Sequence, residues 1–504
     1  MDSNKRLAKN TLLLYFQMLT SMLIALYTSR VVLQALGVDD YGLYNIVGGV
    51  VSMITIITGG MTTATQRFLS YELGKGDSDR LTHVFSTCVL AHLVIAGVFI
   101  IISETVGLWF LIKYIQVPDG RYSASLFVYQ FSVFSVCMNI LFTPYSACIL
   151  SHEKVSIYAI IGVFDSILKL LIAIGVATSK GDRLIIYALL MMLISIVDFI
   201  AYKTYCRFHY EETKIKLKYH PQYFKKIFSF ASYTILGQGG MVAANQGNNI
   251  LVNMFYSVKA NAAMAIATQV NGALSGLTSN FYLAYQPQIT KAYSSNDLIT
   301  TSRLILGTSK LSFYLVFLVS IPILCNIDYI LKVWLGTVPE YTSIFCLFFI
   351  VSSMVNSFGN PYMTGVYATG DIKKLQIISV ALYLSDLVFV YILFFSGFPA
   401  YYAPATKLFI DCCLTLTRIL VAKDKIPSLS MSVLFLEAIL PVSLVVIISV
   451  VITYVVVKVF PDQALLDTTI VTILALGVVF LIGLNRTERY MVKDMSKQII
   501  KRMQ

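Results

Sequence analysis

The run PYSACILSHEK at 144–154 closes one long apolar segment, and PYMTGVYATGDIKK at 361–374 closes another. Each places Pro-Tyr (Pro144-Tyr145, Pro361-Tyr362) late in a predicted helix, follows it with small residues, and ends in an acid–base pair that enters the next apolar segment. Asp165 and Asp386 then recur at matching places inside those next segments. A fainter match lays 37–77 on 257–297 without a gap, pairing Gln66 with Gln286 and Asp77 with Asp297. The members of each pair stand six predicted helices apart. An even number of crossings keeps both copies in one orientation, which implies halves related by an axis along the membrane normal. The chain therefore reads as six helices, six related helices and two more.

Composition supplies the solvent. Of 504 residues, 57% are hydrophobic and 13% charged, and the mean hydropathy is +0.75. Soluble domains carry about 25% charged residues, so lipid surrounds most of this chain. Apolar runs of roughly 20 residues, the length that crosses a hydrocarbon core, predict about fourteen spans. They fall at 10–33, 43–66, 84–111, 124–149, 155–177, 184–205, 228–252, 262–285, 304–326, 341–366, 374–396, 402–421, 431–456 and 467–485. The expected fold class is an all-α polytopic membrane protein with two pseudo-symmetric six-helix lobes and two C-terminal helices. In domain terms these are a first lobe over 1–206, a basic linker over 207–226, a second lobe over 227–424, and the last two helices with a basic tail over 425–504.

A formal charge of +12 in such a chain reflects basic cytoplasmic loops beside anionic lipid rather than nucleic acid. Lys and Arg concentrate in alternate loops, above all 207–226 (Lys214, Lys216, Lys218, Lys225, Lys226) and the tail after Arg486. That asymmetry puts both termini in the cytoplasm. The basic start (Lys5, Arg6, Lys9) runs into an apolar segment without a cleavage pattern, so the first helix is expected to remain as the insertion signal. The eight cysteines show no metal-site spacing and read as small core residues. No phosphate-cradling glycine loop is visible, which argues against ATP use.

The stretch SRVVLQALGVDDYGLYN at 29–45 resembles the signature joining the first two helices of polysaccharide transporters of the O-antigen flippase type. These lie within the multidrug/oligosaccharidyl-lipid/polysaccharide (MOP) exporter superfamily. QPQITKAY at 286–293 is also similar to that family, and so is the six-plus-six-plus-two layout. The resemblance implies a MATE-like fold, a V-shaped pair of six-helix lobes around a cavity that opens alternately to each side. It implies residence in the bacterial cytoplasmic (inner) membrane and a cargo of polyprenyl-diphosphate-linked oligosaccharide, carried outward for O-antigen, lipopolysaccharide or capsule biosynthesis. Other membrane proteins of polysaccharide assembly are further partners it suggests. Asn248-Asn249 departs from the Asp-Arg often found there, which puts an ion role at that position in doubt.

Such a cargo presents a diphosphate, a glycan and a long apolar tail. For the diphosphate, the intramembrane cations Arg30, Lys169, Lys310 and Lys407 are candidates, since a cation at mid-membrane costs roughly 2.5–3.5 kcal/mol and seeks a cavity or a partner. Asp165 precedes Lys169 by one helical turn and Lys407 precedes Asp411 likewise, so each lysine either meets cargo or closes an intrahelical pair. Arg30 and Lys310 either meet cargo or snorkel to an interface. For the glycan, Gln238, Asn245, Asn248, Asn249, Gln269 and Asn271 supply amides that donate and accept hydrogen bonds. Helix–helix bonding is their alternative use. For coupling to H+ or Na+, the intramembrane carboxylates are Asp165, Asp198, Asp386 and Asp411, with structural pairing the alternative. Spans thirteen and fourteen face lipid, and the resemblance adds a groove there for the tail.

Rival readings are a cation-coupled multidrug exporter of the same superfamily and a membrane glycan polymerase or acyltransferase. The exporter calls for an acidic cavity. The enzymes call for a large outer loop or a catalytic His/Asp pair, whereas the predicted outer loops are short and His83, His92, His152, His209 and His220 lie mostly at helix ends or in loops without catalytic spacing.

Overall fold

The structure is a computed structural model that describes residues 3–37, 40–41, 43–44, 47, 56–114, 117, 120–214, 221–256, 258–335, 338–459, 463–485 and 488–489. Among these every regular element is helical. In chain order they are α1 (Ser3–Leu36), α2 (Ile56–Lys75), α3 (Ser78–Ile102), α4 (Leu108–Tyr114), α5 (Tyr122–Ser151), α6 (Val155–Ala177), α7 (Arg183–His209) and α8 (Pro221–Phe255). There follow α9 (Val258–Ser294), α10 (Leu298–Cys325), α11 (Ile327–Leu335), α12 (Thr342–Thr369), α13 (Lys373–Phe395), α14 (Tyr402–Lys425), α15 (Met431–Leu434), α16 (Leu440–Val459) and α17 (Ala464–Val478).

Eleven of the described helices are long and apolar enough to cross a membrane, fewer than the fourteen or so expected. The second expected span, 43–66, lies largely outside the described residues, as do linker residues 215–220 and the tail beyond 489. The eighth and twelfth correspond to α9 and α14. Both are continuous, at 37 and 24 residues, but Thr, Gln, Asn and Ser in α9 and Lys407, Asp411 and Arg418 in α14 lower their apolar content. Large apolar side chains such as Leu23, Ile447 and Tyr454 stand more than half exposed, which only a lipid solvent tolerates in such numbers. The chain is an all-α, multi-pass membrane protein.

Two compact units form, one from Asn10 to Gln238 and one from Gly239 onward together with the N-terminal residues up to Lys9. Each repeats one packing scheme. In the first unit α5 packs on α2, α3 and α7, and α6 packs on α7; in the second α12 packs on α9, α10 and α14, and α13 packs on α14. α16 and α17 add to the second unit against α10.

The joints repeat as well. Gly76 (φ 72°) and Asn296 (φ 61°) occupy the left-handed region at matching places, residue types that tolerate it. The next residue in each copy, Asp77 or Asp297, caps the following helix by accepting the backbone N–H of Arg80 or Thr300, both at 3.0 Å. After the two Pro-Tyr helices, Glu153 (φ 59°) and Gly370 (φ 83°) make the same left-handed turn. Pro144 and Pro361 both lie inside their helices, where a missing N–H frees carbonyls of the preceding turn. In α12 the Ser309 hydroxyl donates to Phe358 O, in the turn before Pro361, at 2.7 Å.

α12 is the central helix of its unit and approaches α14 at Gly359. A Cβ there would meet Thr415 Oγ1 at 2.7 Å, Thr415 Cγ2 at 3.1 Å and an Arg418 guanidinium nitrogen at 3.2 Å. Gly359→Ala is expected to lower thermal stability, at about 1–3 kcal/mol for overpacking, with Gly97→Ala as the comparison because nothing lies within 4 Å of its position. Detergent-solubilised melting curves of the two variants check this.

Candidate functional site

The first half of the 29–45 stretch lies on α1, and part of the rest falls among residues the structure does not describe. Asp40 is described, and it accepts from Arg121 Nε at 2.7 Å, while Arg121 also reaches Asp182 Oδ2 at 2.6 Å. Asp182 in turn caps α7 through the N–H groups of Leu184 and Ile185. Tyr44 meets Tyr187 edge to face at 5.0 Å, and an Arg183 guanidinium nitrogen donates to Ala35 O at 3.0 Å. This motif therefore ties the ends of α1, α5 and α7 together within the first unit.

A cluster of two carboxylates and one lysine recurs on neighbouring helices of each unit, Asp165, Lys169 and Asp198 on α6 and α7, and Asp386, Lys407 and Asp411 on α13 and α14. In the first unit Lys169 Nζ lies 2.8 Å from Asp165 Oδ2 on α6, and Asp198 of α7 lies beside Asp165. Ser166, next to Asp165, donates to the Ser21 hydroxyl of α1 at 2.9 Å. In the second unit Lys407 Nζ lies 2.9 Å from Asp411 Oδ2 on α14, and the Ser352 hydroxyl of α12 also donates to Asp411. Asp386 of α13 faces Lys407 across the helix pair and accepts from Asn248 Nδ2 of α8 at 2.7 Å. Asp386 and Asp411 are 3% and 1% exposed, so their charges rest on these contacts rather than on water. Both lysine–aspartate pairs that the spacing allowed are thus closed, and Asn248 bonds a carboxylate on a neighbouring helix.

The other candidates separate by environment. Lys310 is buried and holds Glu488 Oε2 at 2.8 Å, which ties α10 to the segment after α17. Arg30 is exposed on α1. Asn271 accepts from the Ser353 hydroxyl at 2.6 Å, and Asn249 donates to Gln246 at 3.4 Å. Gln238 is half-buried, while Asn245, Gln246 and Gln269 are exposed, Gln269 together with Thr268, Gly272, Ser275 and Ser279 along α9. Exposed amides on helices that cross lipid are costly unless water or a polar ligand reaches them. From residue 213 to residue 296, through all of α8 and α9, the sequence holds no Asp or Glu.

Nothing in the sequence singles out Arg418, because basic residues are ordinary near the end of a span. It is 7% exposed and donates to Asn356 Oδ1 and Asn360 Oδ1, both at 3.2 Å, beside Tyr383. The available signal was Asn356 and Asn360, one turn apart and therefore on one face of the helix.

No family model and no curated protein matches the sequence, while solved structures match the fold. A multidrug resistance MATE family transporter of the MOP superfamily in its outward-facing conformation aligns with TM-score 0.73 at 14% identity, over 85% of this chain and 97% of that one. MATE in the straight conformation gives TM-score 0.71 at 14% identity with the same coverage. A MOP superfamily transporter from Pyrococcus furiosus, described as having a binding pocket of reverse polarity that suggests a different function, gives TM-score 0.68 at 12% identity, again over 85% and 97%. The fold is the one these transporters have.

Proposed function

We propose that this chain is a transporter rather than an enzyme, and that it flips a polyprenyl-diphosphate-linked oligosaccharide across the bacterial cytoplasmic membrane by alternating access, for surface polysaccharide biosynthesis. The observation that carries the reading is the exposed amide and hydroxyl surface of α8 and α9, set in a stretch without a single carboxylate. Hydroxyl-rich glycans are matched by groups that both donate and accept, whereas a cationic drug would be drawn to carboxylates. Lys169, Lys310 and Lys407 each hold a carboxylate, so of the four candidate cations the exposed Arg30 is the one we assign to the diphosphate. The two carboxylate–lysine clusters are the places where H+ or Na+ could be exchanged, since each holds one more carboxylate than lysine. The MATE neighbours favour the rival, a cation-coupled multidrug exporter. The resemblance of 29–45 and 286–293 to polysaccharide transporters favours the flippase.

Deleting the gene separates the two. Accumulated lipid-linked repeat units with a bare cell surface are expected from a flippase. Unchanged glycans with lost tolerance to cationic drugs would establish the exporter and overturn the reading.

A further inference from the structure

Where α5 and α7 end, three side chains of metal-binding type converge in the first unit. Cys148 lies in the last turn of α5, His152 follows directly after that helix, and Glu212 sits in the short turn Glu211–Thr213 that follows α7. One ligand atom from each lies within 4.8 Å of the others. His152 Nε2 is 2.6 Å from Glu212 Oε1, and Cys148 Sγ is 3.7 Å from the same oxygen. Cys148 and Glu212 are 1% and 7% exposed, and His152 is half-buried. The His152 ring is held flat against Tyr210, with centroids 4.0 Å apart and planes 11° apart.

We infer that Cys148, His152 and Glu212 form a Zn2+ site. A thiolate, an imidazole and a carboxylate are the three donor types zinc takes, with bonds of about 2.0–2.3 Å. Tetrahedral ligation at those lengths sets ligand atoms about 3.3–3.8 Å apart. The Cys148–Glu212 separation already has this value, and the His152–Glu212 pair needs to open by about 1 Å for a cation to enter between them. Charge closes as well: a thiolate and a carboxylate neutralise the divalent ion, so the buried cluster gains no net charge. On binding, the Cys148 S–H bond breaks and its proton leaves to solvent. The proton that His152 Nε2 shares with Glu212 Oε1 also leaves to solvent, and with one proton held on Nδ1 the neutral ring gives its Nε2 lone pair to the metal. No oxidation state changes.

Cys206 lies beside Cys148, but its thiol donates to Tyr145 O at 3.3 Å, so it is not counted among the ligands. The fourth position falls to water. The site clamps the end of α5 to the turn after α7. Those two helices pack on one another along the unit, so the metal would fix their register from one end.

The test uses the full-length protein in detergent, stripped with a chelator and titrated with Co2+ and then Zn2+. One Co2+ per chain with a near-ultraviolet thiolate-to-cobalt charge-transfer band, displaced by Zn2+, is expected. Cys148→Ser is expected to abolish that band while Cys88→Ser keeps it. Glu212→Gln preserves side-chain shape should the cysteine variant fail to fold, and is expected to weaken Zn2+ binding by more than about tenfold. No stoichiometric metal in the native protein, or a band that persists in Cys148→Ser, would overturn the inference.

Discussion

Lys407→Met is expected to destabilise the protein by about 3–5 kcal/mol, the cost of leaving buried charge without its partner. Lys407 serves two carboxylates, its direct partner Asp411 at 2.9 Å and the facing Asp386. Removing it strands both in a seam where each is at most 3% exposed. Asp411→Leu on the same background is expected to recover much of the loss, because it removes one stranded carboxylate and replaces it with apolar volume. Melting curves of the native protein, both single variants and the double variant close the cycle and give the coupling between the two residues. Transport assayed on the same four proteins then separates two roles. Recovery of flux with stability marks a structural pair. Recovered stability without flux marks a lysine or carboxylate that acts on cargo or on the coupling ion.

The triple substitution Asn245→Leu, Gln246→Leu and Gln269→Leu is expected to leave stability near native and to lower flux of a lipid-linked glycan about 100-fold. Each lost hydrogen bond to a sugar hydroxyl is worth about 1 kcal/mol, so three together approach two orders of magnitude. Stability is spared because Asn245, Gln246 and Gln269 are exposed, unlike Asn248, which is 1% exposed and bonded to Asp386. Initial rates in proteoliposomes with a labelled polyprenyl-diphosphate oligosaccharide supply the measurement. Unchanged flux would remove the amide surface from the transport path and with it the main support for a glycan cargo.

Much of the molecule is legible before folding because lipid leaves a chain few options. With no water to satisfy the backbone, apolar segments of spanning length must be helices, and composition alone announces them. The duplication is legible for a local reason. Gly76-Asp77 and Asn296-Asp297 are turn-and-cap chemistry, and Pro144-Tyr145 and Pro361-Tyr362 are proline chemistry, each fixed within a few residues. The Asp165–Lys169 and Lys407–Asp411 pairs were likewise readable as alternatives, since a helix by itself brings residues one turn apart together.

What the sequence could not supply is any contact made between helices. Asn248 belongs to an amide-rich run, and only the packing of α8 against α13 turns it toward Asp386. Arg418 reads as a loop-end charge until α12 and α14 close at Gly359 and set Asn356 and Asn360 beneath it. Cys148 and His152 stand one helical turn apart, which alone does not mark a metal site, and Glu212 joins them only because α7 returns alongside α5. Helical periodicity and capping act over one or two turns, so sequence by itself determined the class, eleven of the expected spans and the repeat. The partners of buried polar groups depend on which helix faces which, and that was decided by tertiary packing alone.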